Sequence, residues 1–97
     1  MKFSIPKSRE NIISISRKIG YVPISASETK EFNMVRSIGR GDYPRFHIYI
    51  TEDAENFIFN LHLDQKKPSY AGNHAHSGEY DGDLVSEEAN RIKLAFS

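Results

Sequence analysis

Two stretches in the middle of the chain alternate apolar and polar residues with a period of two. In RFHIYI, residues 45–50, Phe46, Ile48 and Ile50 fall on one side and Arg45, His47 and Tyr49 on the other. In FIFNLHLD, residues 57–64, Phe57, Phe59, Leu61 and Leu63 share one side, with Asn60, His62 and Asp64 opposite. Alternation of this kind marks half-buried strands, and TEDAEN between them predicts an antiparallel hairpin. A four-residue loop, Asp53 to Asn56, sets Ile50 opposite Phe59 on the apolar face. On the polar face it sets Tyr49 opposite Asn60, His47 opposite His62 and Arg45 opposite Asp64. A two-residue loop at Asp53 and Ala54 would instead put Arg45 against His62 and Tyr49 against Ile58. The first register is preferred because it gives Arg45 an acid, and both keep the two histidines on one face.

Flanking this hairpin the period changes to that of a helix. In SRENIISISRKIGY the residues Ile12, Ile15 and Ile19 recur at i, i+3 and i+7. Ser8 is placed to cap the first turn, and Gly20 to supply the left-handed stop. Arg17 and Lys18 sit where the helix dipole favours cations. The expected helix runs from Arg9 to Ile19. Near the C-terminus, LVSEEANRIKLAF carries Val85, Ala89, Ile92 and Phe96 at helical spacing, with Asp83 or Ser86 as cap and Glu87 and Glu88 suited to the first turn. Between the first helix and the hairpin lie a polar loop, ISASETKE, a strand, FNMVRSIG, and a turn, GRGDYP. The order is helix, strand, strand, strand, helix. The expected fold is α+β, an antiparallel three-stranded sheet with both helices on its apolar face. A long polar loop over residues 64–83 precedes the last helix and partly covers the polar face.

Composition narrows the classes. At 97 residues the chain is read as one domain, 1–97, with one modest core. Thirteen basic and thirteen acidic residues leave no net field to draw it to nucleic acid or to an anionic membrane. With no cysteine there is no disulfide framework, thiolate zinc site or cysteine nucleophile. MKFSIPKSRE has no signal-peptide core, and no apolar run approaches a membrane span. A soluble, cytoplasmic protein is expected.

The order of elements resembles the double-stranded-RNA-binding-domain-like topology, and RKIGY, residues 17–21, resembles the lysine-rich K-x-G-[WY] turn that ends the first helix of HicA-type mRNA interferase toxins. That resemblance implies an RNA-directed role. The family's histidine sits in a Gly-Ser-His turn, and the comparable turn here, GRGDY, has none, so the fold carries over and no catalytic residue does. LHLDQKKPSY through HSGEYDGD also looks like a segment of small bacterial proteins, from which no activity follows.

The chemistry-bearing side chains gather in the second half. His47 and His62 share the polar strand face, while His74 and His76 form an H-x-H pair in the loop that leaves the third strand. If that loop folds back, four imidazoles converge with Asp64 and Glu79, a set that suits zinc or another borderline divalent metal. The plain alternative is that all four are ordinary solvated residues. A catalytic version would use Glu79 or Asp64 as acid-base group, with Tyr70 or Tyr80 as donor. No G-x-S-x-G, P-loop or Rossmann fingerprint accompanies them, so enzyme is the lesser reading. A regulatory RNA binder would line one edge with Arg36, Arg40, Arg45, Lys66 and Lys67, of which Arg40 and Lys66 contact phosphates, and would use Tyr43, Tyr49, Tyr70 and Tyr80 to stack bases. The leading expectation is a non-catalytic binding module for a protein or RNA partner. Its binding residues would be Arg45, His47, Tyr49, Asn60, His62, Asp64, Tyr70, Glu79 and Tyr80. The exposed edge of the first strand offers a surface for a homodimer.

Overall fold

The computed structural model describes residues 1–26, 31–65, 78–79 and 82–96. The hairpin lies at its centre. Arg45–Glu52 (β4) and Asn56–Asp64 (β5) pair antiparallel in the register of the four-residue loop, with Arg45 opposite Asp64, His47 opposite His62, Tyr49 opposite Asn60 and Ile50 opposite Phe59. Asp53 fixes the turn, its Oδ1 accepting from the amides of Glu55 at 2.8 Å and Asn56 at 2.7 Å.

The α+β class holds, but the sheet is wider than three strands. Lys2–Pro6 (β1) and Val22–Ala26 (β2) join Phe32–Ser37 (β3) and the hairpin in the order β1-β5-β4-β3-β2, and a two-residue strand, Gly78–Glu79 (β6), also pairs with β5. Every pairing is antiparallel. Both added long strands contain a proline, Pro6 and Pro23, which argues against a strand in sequence. Each lies at an end of the strand order, where a missing amide costs no ladder bond on the open side. The segment expected as the first strand, β3, is therefore interior, and it offers no free edge for a homodimer.

The first helix, Ile12–Ile19 (α1), starts three residues later than expected. Asn11 is its cap, with Oδ1 accepting from the Ser14 amide at 2.8 Å, while Ser8 Oγ accepts from the Glu10 amide in the turn before it. Gly20 stops the helix in the left-handed region at φ 84°. An added Cβ there would meet only the Arg36 side chain, at 3.9 Å, so the cost of a side chain is conformational. Gly20→Ala is expected to lower stability by about 1–2 kcal/mol. Urea unfolding should show a lower midpoint with an unchanged slope, and an unchanged midpoint would count against this account. The second helix, Asp83–Ala95 (α2), is capped by Gly82 with no side-chain bond, so neither Asp83 nor Ser86 is the cap. Asp83 is instead the first helical residue, where its charge suits the dipole. Among the described residues no helix is long and apolar enough to cross a membrane.

Both helices cover the same face of the sheet. Ile12, Ile15 and Ile19 of α1 and Val85, Ala89 and Ile92 of α2 form one buried cluster with Met34, Phe46, Ile48, Ile50, Phe57, Phe59, Leu61 and Leu63. A carboxylate enters this layer. Glu88, which sequence places at the helix start to suit the dipole, is 4% exposed. Tyr21 Oη donates to its Oε2 at 2.6 Å. Arg91 donates to both oxygens, at 2.7 and 2.8 Å, and caps α1 through the Ile19 carbonyl at 2.6 Å. Arg36, opposite Phe46 on β3, reaches the carboxylate at 3.4 Å. Burial pushes the Glu88 carboxyl up, but the bonds from Arg91 and Tyr21 and the charge of Arg36 outweigh it and hold the group below its usual range. Burial beside that carboxylate pushes the Tyr21 phenol up. The network ties α1, α2 and β3 together and uses its acceptor fully.

Candidate ligand site

The opposite face of the sheet is built in cross-strand rows. Asn33, Tyr49, Asn60 and Lys2 form one row across β3, β4, β5 and β1, and Val35, His47 and His62 form the next. Ser37, Arg45, Asp64 and Gly78 form the third, from β3 to β6. Residues directly opposite, diagonal, or two apart on one strand are within side-chain reach. Asp64 has a neighbour in all three directions. Arg45 stands across from it, His47 lies on the diagonal, and His62 is two residues back on its own strand.

All three converge on the carboxylate. Arg45 Nε donates to Asp64 Oδ2 at 3.2 Å, His47 Nδ1 lies 3.1 Å from the same oxygen, and His62 Nε2 lies 2.9 Å from Oδ1. On its far side His47 Nε2 faces Asn33 Oδ1 at 3.3 Å. The rings cluster: Tyr49 stacks on His47 with centroids 4.5 Å apart and on His62 at 5.4 Å, while His47 and His62 are tilted to each other at 4.8 Å. The Arg45 guanidinium lies over the Tyr43 ring, 4.6 Å from its centroid. His47, His62 and Asp64 each offer a ligand atom, and these atoms lie within 4.8 Å of one another.

This centre is not the solvated surface that alternation alone implies. His47 is 8% exposed and His62 6%. Burial is the main influence on both imidazoles and lowers their proton affinity. For His47 it outweighs a hydrogen bond to the Asp64 carboxylate, and for His62 it outweighs the Asp64 charge. Burial thus favours the neutral form of both rings, while Arg45 is ion-paired with Asp64.

Of the residues expected to bind, Arg45, His47, Tyr49, His62 and Asp64 come together, and Asn60 is exposed in the next row beside Tyr49. Glu79 lies on β6 opposite Leu63, and the register pairs Gly78 with Asp64. Tyr70, His74, His76 and Tyr80, with Lys66 and Lys67, lie outside the described residues, as does most of the 64–83 loop. Arg36 and Arg45, expected on one edge, are on opposite faces, each with a carboxylate partner. Sequence reasoning missed Asn33, and it offered Tyr43 only as a base-stacking residue, not as the ring beneath Arg45. Asn33 was hidden by the adjacent apolar pair Met34 and Val35, which leaves the facing of β3 open until its pairing with β4 puts Met34 opposite Ile48. Compared with known protein families, with curated proteins and with solved structures, the chain matches none of them.

Proposed function

We propose that this domain is a non-catalytic binding module whose site, at the Asp64 cluster, takes a small ligand. One observation supports this most directly: two imidazoles, a guanidinium and a carboxylate are drawn together on the sheet face that the helices do not cover, and the imidazoles are buried there. A buried ion pair is often no more stabilising than apolar residues of the same volume. Groups with displaced proton affinity, gathered at one place, are characteristic of functional sites. The face could have been closed more cheaply with valine and leucine. Burial of the two rings favours a ligand of small size at this point over a broad macromolecular partner. Asp64 is already engaged by the Arg45 guanidinium and flanked by both imidazoles and so is poorly placed to act as a general base, which favours binding over turnover.

A thermal-shift comparison of the wild-type chain with Asp64→Asn tests the reading. The panel holds divalent metal chlorides, inorganic phosphate, acetate and nucleoside monophosphates. A ligand at a hundred times its Kd adds about 2.7 kcal/mol. At about 4–8 °C per kcal/mol for a domain of this size, the rise in Tm should be unmistakable. At least one ligand class should raise the wild-type Tm and leave Asp64→Asn unmoved. If none does, or if both proteins respond equally, the site reading is wrong.

A further inference from the structure

We propose that the ligand is a divalent transition-metal ion of the zinc class, held by His47 Nδ1, His62 Nε2 and Asp64, an inference that rests on the binding reading above. The donor set is two imidazole nitrogens and a carboxylate, the mixture preferred by borderline ions such as zinc, cobalt and nickel. The spacing is close to that of a shared coordination sphere. Ligand bonds of about 2.0–2.2 Å place neighbouring donor atoms of a tetrahedral site about 3.3–3.6 Å apart. The observed separations, 3.1 Å from His47 Nδ1 to Oδ2 and 2.9 Å from His62 Nε2 to Oδ1, are slightly shorter, so a small outward shift of the rings would admit an ion.

A hydrogen-bond count at His47 points the same way. Both ring nitrogens face oxygen, Nδ1 toward Asp64 and Nε2 toward Asn33 Oδ1 at 3.3 Å. A neutral imidazole has a single N–H. In the tautomer with that proton on Nε2 and donated to Asn33, the lone pair of Nδ1 faces the Asp64 carboxylate and would take a metal ion that the carboxylate also binds. Metal-bound histidines ordinarily donate their other N–H to an oxygen in this way, which fixes the tautomer. Asn33 supplies that oxygen from the neighbouring strand.

Arg45 sets the selectivity. Its Nε donates to Asp64 Oδ2 at 3.2 Å and offsets much of the carboxylate charge. Magnesium and calcium depend on anionic oxygen ligands and gain little from such a site. Affinity is left to the two imidazoles, which discriminate for zinc.

The experiment is calorimetric titration of the chelator-treated full chain with zinc chloride and with magnesium chloride, alongside imidazole nitrogen chemical shifts. One zinc per chain is expected, with no magnesium binding, and with shifts at His47 Nδ1 and His62 Nε2 in the wild-type chain. Asn33→Ala, which removes the oxygen behind His47 and no ligand, should weaken zinc by about 10–100-fold. The inference is overturned by absence of zinc binding, by equal magnesium binding, by Asn33→Ala binding zinc as the wild type does, or by shifts confined to other imidazoles. If zinc fails while phosphate, acetate or a nucleotide still raises the Tm in an Asp64-dependent way, the metal falls and the binding site stands. If nothing binds, both fall.

Discussion

Glu88→Ala is expected to destabilise the domain by about 3 kcal/mol, at the lower end of the range for breaking a buried ion pair. The low end applies because the side chains of Arg36 and Arg91 remain 36% and 40% exposed, so water can take over part of their solvation. Tyr21 has no such relief. It is 3% exposed and would lose the acceptor of its hydroxyl proton. Against a total of about 5–15 kcal/mol for an ordinary domain, this one carboxylate is a large share. Urea unfolding of Glu88→Ala, Tyr21→Phe and the double variant gives the apportionment. The double variant should cost less than the sum, because removing the hydroxyl together with its acceptor leaves fewer orphaned groups. Strict additivity would mean that the 2.6 Å contact contributes nothing of its own.

The same carboxylate sets an acid limit. Its folded-state proton affinity is held below the ordinary value of 4.5, so the unfolded chain binds the proton more readily. The stabilisation is present in full above 4.5 and is lost as the pH falls through the lower folded value. Wild-type stability should therefore decline more steeply than that of Glu88→Ala below pH 4.5. Parallel profiles would show that Glu88 is not protonated on unfolding.

The legible parts of the fold were those in which burial is one-sided and regular. From Phe46 to Ile50 and from Phe57 to Leu63 every second residue is apolar, and one acid opposite one arginine chose between two registers, so the pairing of His47 with His62 followed from sequence. The amphipathic stripes of α1 and α2 were equally clear. The edge strands were not. Pro6 and Pro23 argue against a strand unless its place at the sheet edge is already known, and that place is a property of the tertiary order. Glu88 shows the converse failure. A glutamate early in a helix has a sufficient local explanation, the dipole, and nothing local tells that Tyr21 and Arg36, more than fifty residues earlier, will meet it. The site was half legible for the same reason. Alternation placed His47, His62 and Asp64 on one face, but the part played by Asn33 depends on the pairing of β3 with β4, which the sequence left open.

Phe59→Ala is expected to have the largest effect of any apolar truncation, about 3–5 kcal/mol. Phe59 is fully buried at the middle of β5, between β1 and β4, facing Ile50 across one pair and stacked on Phe3 across the other at 5.1 Å with the rings 9° apart. Its loss removes both the transferred surface and the stack. Phe3 belongs to an edge strand and can move inward to fill part of the space, whereas Ile50 is held between β3 and β5 and cannot. Partial collapse keeps the cost inside that range and does not remove it. Asn60→Ala, one residue along and on the exposed side, should change stability by no more than about 0.5 kcal/mol. Because side chains alternate, Phe59 faces the helices while His62 and Asp64 of the same strand face away from them. The two faces should therefore contribute additively. Urea unfolding with and without saturating zinc should give Phe59→Ala a lower midpoint but the same zinc increment as the wild type. A cost below about 1 kcal/mol would mean that the β1–β5–β4 packing is not what holds the sheet. A lost zinc increment alongside the full cost would show that the core holds the ligand geometry, and that the two faces of β5 act as one unit.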